Sequence, residues 1–280
     1  MNYLQIAILA VVQGFAELLP VSSSAHVILA EKFMGLDPTT PEMTLLLVLL
    51  HTGTMFAVIV YFWSAWVKNY FQTSLKAWAF VKQIILATAV TGVVGMGLKV
   101  LIEKVFMRGV EHAEVEMLFG NFRLISAGLA CAGLLILWAA SREAFTNKDQ
   151  ALGAKESIWI GLVQGLCLPF RGFSRSGSTI STGILLKVAK TKVEEFSFAL
   201  VVLLTPFVDV KEIYRLVKAH AAAPTGDLSS FLVPDLLGMV LSFGAGLLAL
   251  RWLSSWLSHG QWNLFGIYCL TFAVVIWMFQ

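Results

Sequence analysis

The sequence predicts an all-α polytopic membrane protein: an inverted-topology repeat with two re-entrant helical hairpins and about six full transmembrane helices. Three observations carry that expectation. Hydrophobic residues make up 58% of the 280 positions and charged ones only 13%, with a mean hydropathy of +0.79, as suits a chain whose solvent is largely lipid. Apolar runs recur at lengths that cross hydrocarbon, about 20 residues each. Two further apolar runs stop short and carry polar tips, which a membrane tolerates only where backbone faces protein or a water-filled cavity.

The elements follow in order. Residues 2–19 form an apolar arm that ends at Pro20, ahead of Ser22, Ser23 and Ser24, and 24–34 complete the first hairpin. Full spans are predicted over 43–66, 83–102 and 123–140. The arm 157–170 precedes "RGFSRSGST" and opens the second hairpin, which 177–189 complete; spans over 195–214, 231–252 and 263–279 follow. Each half reads hairpin, span, span, span. The expected organisation is one integral membrane domain over 1–280, with a first repeat at 1–141 and an inverted second at 151–280. "VQG" at 12–14 recurs at 163–165, and the same offset of 151 lays Ser23 over Ser174. Repeats of this kind place functional sites at the repeat interface.

Loop charge sets the expected orientation. The 67–82 connection carries Lys68, Lys76 and Lys82 without an acid, which the positive-inside rule assigns to the cytoplasm. The 103–122 connection sets Glu103, Glu111, Glu114 and Glu116 against Lys104 and Arg108, suiting the outer face. The first hairpin then enters from outside and the second from the cytoplasm. Lys187, Lys190 and Lys192 fall on the inner side as the rule asks, whereas Lys211, Arg215 and Lys218 fall on the outer side against it.

Some functions are set aside at once. A net charge of +3 without a basic arm or patch offers no nucleic-acid surface. Cys131, Cys167 and Cys269 lie in apolar stretches without C-x-x-C spacing and read as packing residues. The N-terminus has no basic leader or small-residue cleavage site, so 2–19 read as retained structure.

The chemistry lies in the two hairpin tips. Gln13 and Glu17, four apart, share a helix face, and Ser22, Ser23 and Ser24 follow the Pro20 break, with His26 on the next helix. Helix capping around one neutralised carboxylate is the bland alternative; intramembrane Glu and His are functional candidates because their burial is costly. In "GFSRSGSTIS" (172–181), Arg175 stands among Ser174, Ser176, Ser178, Thr179, Gly172 and Gly177. Glycines let backbone N–H groups approach a ligand, the following helix offers its positive end, and an arginine fork matches phosphate oxygens. Small-residue packing with a snorkelling arginine is the alternative, but packing has no need of an arginine at a turn. Carboxylate and amide oxygens suit Mg²⁺ or Ca²⁺ shared with substrate phosphates. Ser23 activated by His26, or His26 itself, can attack phosphorus while Arg175 stabilises charge on the transferred group. These groups predict a membrane enzyme acting on a lipid-linked phosphate.

"QGFAELLPVSSSAH" and "GFSRSGSTIS" resemble the two signature motifs of the undecaprenyl-diphosphate phosphatase family, also called the bacitracin-resistance protein family; "HTGT" (51–54) and "EEFSF" (194–198) resemble further family segments in the expected order. The resemblance implies hydrolysis of undecaprenyl diphosphate, a C55 polyprenyl lipid, to the monophosphate. That reaction recycles the lipid carrier of peptidoglycan synthesis and confers bacitracin resistance. It further implies the bacterial inner membrane, a pocket open to the periplasm, contact with membrane lipids, and a homodimer. Position by position, the resemblance makes Glu17 and Gln13 the metal-binding pair and Ser23 and His26 the nucleophile and its partner. Ser174, Arg175, Ser176, Gly177 and Thr179 become the phosphate loop. Three positions depart from the pattern. Gln13 replaces one possible acid. Arg171 stands where the family has proline, adding a second cation near the phosphates. Leu203 stands at another proline position, with Pro206 three residues on, which moves a helix break. His51 reads either as a supporting group or as a satisfied buried histidine. The rival function is a polyprenyl-phosphate flippase or other anion transporter; the Ser23/His26 pair separates the two, since binding alone needs no nucleophile.

Overall fold

A computed structural model describes residues 1–37, 40–109, 115–142, 152–222 and 229–279. Glu111 and Glu114, used above for orientation, lie outside the described residues. Among those described there are ten α-helices and no strand. They are α1 (Tyr3–Leu18), α2 (Ser23–Phe33), α3 (Pro41–Tyr70), α4 (Ser74–Leu101), α5 (Phe122–Arg142), α6 (Ala154–Cys167), α7 (Arg175–Leu185), α8 (Lys190–Ala222), α9 (Ser229–Ser258) and α10 (Trp262–Trp277). A π turn, Ile102–Phe106, prolongs α4.

The helix ends follow from local chemistry. Asn2 caps α1 reciprocally: its Oδ1 accepts from Gln5 N at 2.8 Å, and Gln5 Oε1 accepts from Asn2 N at 3.0 Å, satisfying two N–H groups that a helix start leaves open. At the other end Leu19 is extended, with φ −74° and ψ 151°, as a residue before proline prefers. Thr73 Oγ1 accepts from Lys76 N at 3.3 Å to open α4, so Lys68, Lys76 and Lys82 flank a connection of only three residues. Glu156 Oε2 accepts from Gly153 N at 2.9 Å at the start of α6.

Among the described residues, four stretches are long and apolar enough to cross a membrane: Met43–Tyr70, Ser74–Phe106, Phe122–Arg142 and Val233–Ser258, of 28, 33, 21 and 26 residues. Tyr3–Leu18 and Trp262–Trp277 are shorter apolar helices. The chain is a multi-pass membrane protein. The span expected over 195–214 lies inside the 33-residue α8, whose C-terminal half carries Asp209, Lys211 and Glu212. α8 also runs through Pro206, so the displaced proline does not end the helix as expected. It removes one N–H opposite the Val202 carbonyl, a loss that helices in membranes absorb.

Two compact units emerge, each drawing segments from both halves of the chain. The first comprises Met1–Leu19, Ser23–Trp63 and Val201–Leu253. In it Ile6, Leu9 and Ala10 of α1 pack with Val27 of α2 and with Met43, Leu46 and Leu50 of α3. α1 also meets α9 through small residues. A Cβ on Gly14 would stand 2.5 Å from Ala245 Cβ and 2.7 Å from Ser242 O, an approach only small residues permit. The second unit comprises Pro20–Ser22, Ser64–Leu200 and Ser254–Gln280. There a Cβ on Gly165 of α6 would lie 2.7 Å from Val94 Cβ of α4. Gln164 Nε2 donates to Thr91 Oγ1 at 3.0 Å, and α5 and α6 both flank α7. The repeated "VQG" therefore does one job twice: Gln13 and Gln164 are buried, and the glycine after each sits at a close helix contact.

Candidate active site

In the first unit, Ser23 opens α2 and reaches back across the Pro20 turn to the last turn of α1. Its Oγ donates to Glu17 Oε2 at 2.6 Å. The same oxygen accepts from Gln13 Nε2 at 3.2 Å, the helix-face pairing that a four-residue spacing predicts. His51 of α3 approaches that oxygen too, with Nε2 at 3.7 Å. His26 stands half-buried one turn after Ser23. The carboxylate is the focus of the cluster, its side chain only 12% exposed.

The donor types here fit a divalent cation. Glu17 offers a carboxylate, Gln13 an amide whose oxygen and nitrogen exchange places by a flip, and His51 a ring nitrogen turned toward the carboxylate. Among the described residues no group of three or more His, Cys, Asp and Glu gathers as a metal site, so a cation would rely on Gln13 or on substrate oxygens. Hard cations do share phosphate oxygens in this way.

In the second unit, Ser174 caps α7, its Oγ accepting from Gly177 N at 3.2 Å. Arg175 and Ser176 form the helix's first turn, where the positive end of the helix favours an anion. Gly177 has no room for a side chain: a Cβ would fall 2.9 Å from Ile136 Cδ1 and 3.1 Å from Ser174 Oγ. Gly172, with φ +90°, lies against the Ile125 carbonyl, so the 171–173 turn admits only glycine there. Thr179 is placed differently from a surface donor. Its hydroxyl is fully buried, lies 2.9 Å from the Arg175 carbonyl and shares a 2.6 Å hydrogen bond with Ser197 Oγ of α8. Arg171 is exposed, with its guanidinium 4.3 Å above the Phe119 ring, a cation–π placement.

Several polar residues escaped the sequence reading. Ser197 supports Thr179, and the only signal for it was its place inside "EEFSF". The two acids of that segment are buried as well. Asn69 Nδ2 donates to both Glu195 carboxylate oxygens at 2.9 and 3.1 Å, and Ser254 Oγ donates to Glu194. Thr52 Oγ1 lies 3.1 Å from Asp209 Oδ2, a pair 157 residues apart that no local pattern announces.

A family model for the bacitracin resistance protein BacA matches residues 6–275. The chain belongs to this family. BacA relatives align over nearly their whole length. "Undecaprenyl-diphosphatase 2" of Acinetobacter baylyi is 56% identical, covering 99% of this chain and 97% of the relative. "Undecaprenyl-diphosphatase" of Christiangramia forsetii is 32% identical, covering 96% and 95%, and that of Bdellovibrio bacteriovorus is 27% identical, covering 99% and 95%. The matched residues take in "QGFAELLPVSSSAH" and "GFSRSGSTIS" as well as "HTGT" and "EEFSF".

Proposed function

We propose that this chain is an undecaprenyl-diphosphatase, hydrolysing undecaprenyl diphosphate to undecaprenyl phosphate and inorganic phosphate. The observation that carries the reading is the 2.6 Å bond from Ser23 Oγ to Glu17 Oε2, a hydroxyl held against a base at the tip of a broken helix. Such a pair serves hydrolysis and adds nothing to carrying an anion, which favours the enzyme over a transporter.

In the proposed reaction Ser23 Oγ attacks the terminal phosphorus. The new O–P bond forms as the bridging P–O bond breaks, and undecaprenyl phosphate leaves. The serine proton passes to Glu17, the carboxylate it already faces; sequence alone pointed to His26 for this step. Water then attacks the phosphoserine, His26 accepts its proton, and the serine oxygen recovers a proton from Glu17 as phosphate departs. Arg175, the N–H groups of the first turn of α7 and the hydroxyls of Ser174 and Ser176 are assigned to the phosphate oxygens, where preorganised donors have most effect. Thr179 acts by fixing that turn, and Arg171 supplies a second cation near the phosphates. Mg²⁺ or Ca²⁺ belongs to the reading: Glu17 and Gln13 would hold it, and when bound it supplies neutralising charge to the diphosphate.

We also infer that α1/α2 and α6/α7 are re-entrant hairpins of an inverted repeat with six full spans. The order of helix lengths supports this: 16, 11, 30, 28 and 21 residues, then 14, 11, 33, 30 and 16. The proposed setting is the bacterial inner membrane, with the site open to the periplasm and the chain a homodimer among membrane lipids. The testing experiment is release of phosphate from the C55 diphosphate by purified protein.

A further inference from the structure

Glu17 meets a group that neither hairpin motif contains. His51 lies on α3 in the same compact unit, and its Nε2 stands 3.7 Å from Glu17 Oε2. Its other ring nitrogen is committed: Nδ1 lies 2.7 Å from the Leu47 carbonyl. A carbonyl only accepts, so Nδ1 carries the proton. In the neutral imidazole Nε2 therefore turns a lone pair toward a carboxylate oxygen. In that form two acceptors face each other at a separation too long for a hydrogen bond, an opposition that a cation between them removes, as does a second ring proton, which makes the contact an ion pair. A backbone carbonyl on the far nitrogen is also the arrangement that orients a metal-binding histidine.

We infer that His51 is a ligand of the divalent cation assigned to Glu17, supplying an imidazole nitrogen where Gln13 has removed the second carboxylate. The separation supports this, since 3.7 Å falls within the span of two bonds of about 2.1 Å to a shared ion. The ring is 38% exposed, so an ion can reach it without unfolding α3. The donor set becomes carboxylate, imidazole and amide in place of two carboxylates. Its consequence is a shift in preference: nitrogen ligation favours Mn²⁺ over Ca²⁺, because imidazole suits transition metals and all-oxygen sites suit calcium. The inference rests on the proposed metal-assisted hydrolysis, and its test separates the two.

The experiment adds Mn²⁺ alone to purified, metal-stripped protein in detergent and records pulsed EPR for nitrogen coupled to the bound ion. The expected result is bound Mn²⁺ with an imidazole ¹⁴N modulation that becomes ¹⁵N in protein labelled with ¹⁵N-histidine. The modulation persists in His26→Ala and is lost in both His51→Ala and His51→Gln, while Mn²⁺ affinity falls at least about 10-fold. Mn²⁺ bound without histidine coupling, or coupling retained in a folded His51 variant, overturns the inference and leaves the metal reading standing. Failure of the wild-type protein to bind Mn²⁺ overturns both.

Discussion

Ser23 and Glu17, six residues apart on either side of a proline, close the first helix break with a 2.6 Å hydrogen bond. A serine capping a helix in the ordinary way turns its oxygen to an N–H of its own first turn. Here the hydroxyl donates outward to a carboxylate instead. If the pair is the reacting unit, Ser23→Ala and Glu17→Gln each lower kcat at least about 100-fold, and the double variant falls little further, because members of one catalytic unit are not additive. Steady-state kinetics on the three proteins check this; a fully additive double variant means the two act separately.

Arg175 opens α7 beside the Ser174 cap. Arg175→Lys keeps the charge and loses the planar fork, so it recovers little of the loss in Arg175→Ala, which is expected to reach about 100-fold in kcat/KM. Comparable activity of the lysine variant and the wild type would reduce Arg175 to a point charge.

Ser197 touches no assigned substrate group and acts through Thr179. Ser197→Ala leaves the Thr179 hydroxyl with its bonds inside α7 and loosens the first turn that presents Arg175. The expected effect is about a 10-fold loss, the cost of a modest misplacement being smaller than that of a lost catalytic group, with Ser197→Thr restoring most of it. An equal loss in both variants points to packing and not to the hydroxyl.

The glycines make a stability test independent of catalysis. Gly172→Ala places a side chain at φ +90° against the Ile125 carbonyl and destabilises the protein by about 1–3 kcal/mol, as overpacking and strain do. Gly92→Ala meets nothing within 4 Å and gains helix propensity of up to about 1 kcal/mol. Thermal unfolding in detergent distinguishes them, with a lower Tm expected only for Gly172→Ala.

Cysteines placed at 68, 76 and 82 test orientation. They are expected to resist a membrane-impermeant thiol reagent applied from the periplasmic side and to react once the membrane is opened. Labelling from outside in intact cells overturns the assignment of the α3–α4 connection to the cytoplasm.

The helices were legible because hydropathy and punctuation are local. The arms expected at 2–19, 24–34, 157–170 and 177–189 correspond to α1, α2, α6 and α7, since Pro20 and the serine- and glycine-rich turns interrupt apolar runs. The start of α4 was less legible: it begins at Ser74, well before residue 83, because Thr73 caps it and Trp78 and Phe80 keep it apolar despite Lys76 and Lys82. The pairing of Gln13 with Glu17 follows from helical spacing alone. Contacts between distant segments left no such mark. His51 against Glu17, Ser197 under Thr179 and Asn69 on Glu195 each join residues from different helices, and no periodicity in one helix encodes its neighbour. Arg171 shows the same limit: its place at the family's proline position implied a second cation near the phosphates, and the ring of Phe119 beneath it depends on how the 171–173 turn lies against α5.

The most direct measurement is phosphate release from undecaprenyl diphosphate by the purified full-length protein in detergent, with and without EDTA. Release of one phosphate per lipid, abolished by EDTA, restored by Mg²⁺ or Ca²⁺ and reduced at least about 100-fold in Ser23→Ala, is the predicted result. No release from the C55 diphosphate by folded wild-type protein supplied with either cation, or unchanged release by Ser23→Ala, contradicts it.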